Sequence, residues 1–165
     1  MSLRSPLVLE PLDVLLCQRF VPEKGGAVRW MHEVYGGWPG SVEVVTHAYS
    51  AEQLARAGTS QLEPASAEDG ALQSLRIERL DIQMPDWGLD QVSNWRRYFR
   101  MRTSITARLA APENAGRVIR VHCCNAVPDA VSLLGLRSRY PDRLRILSYA
   151  HGEETLACLS SKQLT

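Results

Sequence analysis

Three short stretches of the chain carry residue types at spacings that can do chemistry. In "FVPEKGGAVRW" (20 to 30), Gly25 and Gly26 separate a short apolar run from a segment with helical spacing, and Arg29 follows within a turn. Paired glycines leave room for a phosphate or a sugar hydroxyl to approach the backbone, and the first N–H groups of a following helix point at the same place. The alternative is a plain structural turn, with Arg29 held by Glu33 at i+4 instead of by a ligand. In "RVIRVHCCNA", His122 and Asn125 stand at the end of an apolar run. A histidine there is either a hydrogen-bonded core residue or a group that meets a ligand. In "YAHGEE", His151 precedes Gly152, so an imidazole projects where the neighbouring residue takes up no space. Glu153 and Glu154 read as complements to the dipole of a helix that starts there.

The four cysteines, Cys17, Cys123, Cys124 and Cys158, have no C-x-x-C spacing. Adjacent Cys123 and Cys124 point to opposite faces of an extended segment, which disfavours shared ligation of a metal even with His122 beside them. Cysteine as a small buried hydrophobe is the plainer reading, and neither a metal nor a cofactor is expected. The chain lacks the G-x-G-x-x-G of dinucleotide-binding domains, the phosphate loop ending in G-K-[ST], and the G-x-S-x-G elbow of serine hydrolases. A phosphoacceptor of the receiver type would place acidic residues after the first strand, where Cys17, Gln18 and Arg19 stand.

The elements that must position these groups alternate along the chain. "DVLLCQ" (13 to 18) is a continuous apolar run, as expected of a central strand buried on both faces. Val28, Met31, Val34 and Tyr35 recur at helical spacing until Gly36, Gly37 and Pro39 end the pattern. Strands are predicted over 41–48, 75–82, 117–124 and 144–150, and helices over 89–111 and 129–140. Residues 50–74 read as an exposed connection with little periodicity. In the long helix, Val92, Trp95, Phe99, Ile105 and Leu109 are assigned to the core face, and "NWRRYFRMR" (94 to 102) supplies a basic face. That face is either simply solvated or a contact for an anionic acceptor or a membrane surface.

This order predicts an α/β fold, a Rossmann-like and mostly parallel sheet flanked by helices. In such sheets the ligand crevice lies beyond the carboxyl ends of the strands, where the glycine loop, His122 to Asn125 and His151-Gly152 all converge. With 165 residues, 45% hydrophobic, the chain suits a single domain over 1–165, with residues 1–10 as a tail. The formal net charge of +1 offers no field for nucleic acid. Glu10, Pro11 and Asp13 break the amino-terminal apolar positions, which excludes a signal or membrane segment there.

Taken together, "RFVPEKGGAVRWMHEV", "VIRVHCCNAVPDAVSLLGLRSRYP" and "LRILSYAHGEE" resemble the amino-terminal, acceptor-side half of a GT-B-fold glycosyltransferase, nearest to the retaining family 4 enzymes that build lipopolysaccharide, capsule and other glycoconjugates. The likeness spans roughly positions 13 to 154, and its specificity lies in the order of individually weak motifs. It implies a nucleotide-sugar donor and a glycan or lipid-linked acceptor. It also implies a cleft in which Gly25 and Gly26 approach the donor phosphates or acceptor hydroxyl, with Arg29, His122, Asn125 and Gly152 contributing. His151 would hydrogen-bond the transferred sugar and act as the catalytic residue. Family members carry a second domain that binds the donor nucleotide, which these residues lack, so the chain by itself is expected to be inactive. The resemblance further implies a cytoplasmic protein, peripheral to the inner face of the membrane through the 94–102 helix. The alternative is a non-catalytic Rossmann-like module that binds a carbohydrate or a partner protein.

Overall fold

The computed structural model describes residues 9–18, 20, 26–48, 75–80, 92–125 and 129–149, with the side chains of 92–97 excepted. Among the described residues, five strands form one sheet: β1 (Leu12–Leu16), β2 (Val42–His47), β3 (Leu75–Leu80), β4 (Ile119–Cys123) and β5 (Leu144–Ser148). Every pairing is parallel, and the order is β3-β2-β1-β4-β5. The fold is therefore α/β and Rossmann-like. β1 lies at the centre with all five residues buried, which is where a strand apolar on both faces must go.

Helix α1 (Gly26–Gly36) covers one face of the sheet. Val28, Met31 and Tyr35 pack there with Leu15, Cys17, Phe20, Val42, Val44, Leu75 and Cys124. Helix α2 (Val92–Ala110) and the short α3 (Leu136–Arg139) cover the other. From them Met101, Ile105, Leu109 and Leu136, with Leu133 just before α3, meet Leu12, Val14, Leu16, Val45, Ile119, Val121, Cys123 and Leu144. Alternation along β1 and β4 divides the residues between these layers, so Cys123 and Cys124 fall in opposite cores.

Two expectations change in the structure. The predicted helix over 129–140 is interrupted: Gly135 takes a left-handed φ of 79°, and only Leu136–Arg139 continue as α-helix. Among the described side chains of α2 the buried apolar residues are Tyr98, Met101, Ile105 and Leu109, whereas Phe99 is 58% exposed; the side chains of Val92 and Trp95 lie outside the described ones. Spacings of three and four keep the former on one face, and Phe99 is turned about 100° away from Tyr98.

Arg108 anchors α2 to the sheet. Its Nε donates to Glu43 on β2 at 2.8 Å, its Nη2 donates to Glu78 on β3 at 2.6 Å, and its Nη1 donates to Ser104 Oγ at 2.6 Å. At the amino-terminal edge of the sheet, Arg117 Nε donates to Glu10 O at 2.8 Å and Arg143 Nη2 donates to Asn114 O at 2.7 Å. Arginines thus close the edge opposite the expected crevice.

Candidate functional site at the strand-order reversal

The chain builds the sheet outward from β1 to β3 and then returns to the far side of β1 with β4 and β5. β1 is followed by α1 on one face of the sheet and β4 by α3 on the other, and the position between the carboxyl ends of these two strands is where open parallel sheets take ligands. Cys17 and Gln18 continue β1 there, and Cys124 and Asn125 continue β4. The edge is ordered by backbone pairing. Cys124 N donates to Leu16 O at 3.0 Å, Cys17 N donates to Val45 O at 3.1 Å, and Thr46 Oγ1 donates to Gln18 O at 3.2 Å. Asn125 is held by Asp129, whose Oδ2 accepts from its backbone N–H at 3.0 Å.

Gly26 opens α1 at this edge. Among the described residues, nothing lies within 4 Å of a Cβ built on Gly26, and its φ is not positive, so neither their packing nor the backbone conformation requires glycine here. Arg29, in the first turn, is 82% exposed and donates from Nε to Glu33 Oε1 at 2.8 Å, the i+4 pair foreseen as its alternative role. Gly25, His151 and Gly152 lie outside the described residues.

His122 faces away from the crevice. It lies within β4 opposite Leu15, is 2% exposed, and its Nε2 meets Asp13 Oδ1 at 3.0 Å beneath α1. The same carboxylate receives Arg120 through Nε and Nη2, both at 2.6 Å, and Trp38 Nε1 at 3.0 Å. Burial alone would raise the Asp13 carboxyl. The hydrogen bonds from Arg120, Trp38 and His122, with the Arg120 charge, outweigh that and hold it below its ordinary value. Tyr35 and Trp38 place their rings edge-on to the imidazole at 5.5 and 5.2 Å. Tyr35 shares a hydrogen bond of 3.0 Å with Tyr149, which follows β5, and burial raises the Tyr35 phenol well above its usual range.

The sequence reading missed Asp13, Arg120 and Trp38 as partners of His122. The signals were present: Asp13 interrupts an otherwise apolar central strand, and Arg120 stands two residues before His122 on the same strand face.

Among the described residues, the edge thus offers the backbone N–H groups of a helix start, an open glycine and polar amides, while the histidine that belongs to β4 serves the core. No helix among the described residues is long and apolar enough to cross a membrane. Comparison with protein-family models, curated proteins and solved structures finds no match to this chain.

Proposed function

We propose that this chain is the acceptor-side domain of a nucleotide-sugar-dependent glycosyltransferase. The observation that carries the proposal is the strand-order reversal between β1 and β4, with the open Gly26 at the start of α1 beside it. Such an edge suits a diphosphate or a sugar hydroxyl, because backbone N–H groups and the positive end of a helix dipole stabilise negative charge without a bulky side chain in the way. The quoted motifs supply the sugar-transfer chemistry in this reading, with His151 orienting the transferred sugar and stabilising developing positive charge as a neutral imidazole. Exposed Phe99 beside Arg100 on α2 supports peripheral contact with a lipid-linked acceptor or its membrane.

In a protein that joins this chain to a donor-binding domain, His151→Ala should lower turnover roughly ten- to a thousandfold with little change in thermal stability. Undiminished turnover by a folded variant would overturn the catalytic assignment. Residues 1–165 alone should transfer no sugar from any nucleotide-sugar donor, and measurable transfer by them would also count against the proposal.

The second reading, a non-catalytic carbohydrate- or protein-binding module, is favoured by the engagement of His122 with buried Asp13, which leaves that imidazole to structure. Binding of a glycan that shifts the amide resonances of Gly26 and Asn125, with no transfer even when a donor domain is attached, would select it.

A further inference from the structure

We propose that the α1-facing side of β5 is a binding strip for an acidic oligosaccharide, one that carries uronic-acid carboxylates, and that the strip ends at the crevice beyond the carboxyl ends of the strands. The inference rests on reading the chain as a domain that takes a sugar acceptor, and it names the class of that acceptor. Alternation along β5 sends Leu144 and Ile146 toward the core under α2 and α3, so Arg145, Leu147 and Tyr149 lie on the α1 side. Helix α1 buries its apolar residues mainly against β1 and β2, and beyond it Arg145 is exposed and Leu147 is 43% exposed. At the carboxyl end of the strip two aromatic rings form a corner. Tyr149 N donates to Cys123 O at 3.0 Å, which continues the pairing of β5 with β4, and its hydroxyl shares a 3.0 Å hydrogen bond with buried Tyr35. Trp30, one turn beyond Gly26 on α1 and 37% exposed, meets Tyr149 edge to face, with ring centroids 5.0 Å apart and planes at 77°. Arg145 stands four residues before Tyr149, about 13 Å of strand, which is room for more than one sugar ring.

The side chains choose the ligand. A pyranose has an apolar C–H face that packs on aromatic and aliphatic groups, while its hydroxyls stay in water along an open strip. Arg145 supplies the charge. Its Nη1 donates to Pro141 O at 2.7 Å and to Leu144 O at 3.2 Å, and among the described residues no carboxylate pairs with it. Its neighbour across the ladder, Arg120, is neutralised by a bidentate contact with Asp13, so Arg145 is the uncompensated guanidinium of the strip. A planar guanidinium takes a carboxylate through two parallel hydrogen bonds, which selects uronic acids over neutral sugars. Trp30 and Leu147 together offer far less apolar surface than the about 800 Å² that each partner of a stable protein interface buries, which favours a sugar chain over a second protein.

The full chain is titrated with trigalacturonate and with its methyl ester, and backbone amide and indole shifts are followed, with thermal melting as the folding check and sedimentation velocity for the oligomeric state. Both sugars should shift Trp30, Leu147 and Tyr149, and at low salt the acid should bind roughly tenfold more tightly than the ester. Arg145→Gln should remove that difference and leave the affinity for the ester unchanged. Trp30→Ala should weaken both sugars by roughly tenfold. Leu134→Ser, beside α2 on the other side of the sheet, should weaken neither. If Trp30→Ala does not fold, Leu147→Ser is read in its place. The inference is overturned if neither sugar gives a saturable shift, if the shifts fall outside β5 and α1, or if Arg145→Gln weakens acid and ester alike. It is also overturned if Trp30→Ala turns a dimer into monomers, which would make this face a contact between copies of the chain. Binding at β5 by a protein that, joined to a donor domain, transfers no sugar keeps the strip and removes the transferase reading, whereas transfer without binding at β5 does the reverse.

Discussion

Asp13 shows how one residue can join a structure together. A carboxylate in a central buried strand would be destabilising by itself, yet it receives a bidentate guanidinium, an indole N–H and an imidazole. Removing it strands groups already committed to the interior, so Asp13→Ala should cost about 3 kcal/mol in equilibrium unfolding by urea. Asp13→Asn should recover part of this, since an amide oxygen still accepts one of the hydrogen bonds. The pH dependence has a definite sign. Because the folded carboxyl lies below its ordinary value of 3.8, its stabilising contribution is complete above that value and is lost as pH falls through it toward the lowered one. Unfolding free energy measured from about pH 5 downward should therefore drop more steeply in the native chain than in Asp13→Asn. Parallel acid limbs would show that Asp13 is not held below its ordinary value.

Among the elements, α1 and α2 answer different demands. α1 begins at a glycine that no described residue crowds, so Gly26→Ala should change the melting free energy by no more than about 0.5 kcal/mol. If the edge serves a ligand through close backbone approach, the same variant should weaken binding of an anionic sugar derivative, as read by amide shift titration. Unchanged binding would make Gly26 an ordinary helix start. α2 is anchored by Arg108 at one end and by an apolar stripe along its length. Ile105, fully buried between helix and sheet, should cost about 2–4 kcal/mol when cut back to alanine. Phe99→Ser, on the exposed side, should stay within about 0.5 kcal/mol. A comparable loss at both positions would mean that the stripe has been assigned to the wrong face.

At the scale of the whole molecule, stability should grade outward from the sheet centre. β1 and β4 pair with each other and each has another strand beyond, whereas β3 and β5 are the outermost strands among the described residues, and β5 exposes Arg145, Leu147 and Ser148. Amide hydrogen exchange should accordingly be slowest in β1 and β4 and faster in β5. Slowest exchange in β5 would contradict this ordering. The central place of β1 was legible from the sequence because an apolar run with both faces covered has few other homes, and the strand-helix alternation followed from repeating periods that each segment carries by itself. The helix broken at Gly135 and the exposed Phe99 were not legible, and Asp13 and Arg120 stood out as polar residues on apolar strands without any sign that they meet at His122. Asp13 and His122 are 109 residues apart, and Cys124 and Met31 are 93 apart. Local pattern says which residues turn inward but not which inward residues meet. That depends on strand order and register, which packing of the entire chain decides, so the meeting of Asp13 with His122 belongs to the tertiary structure alone.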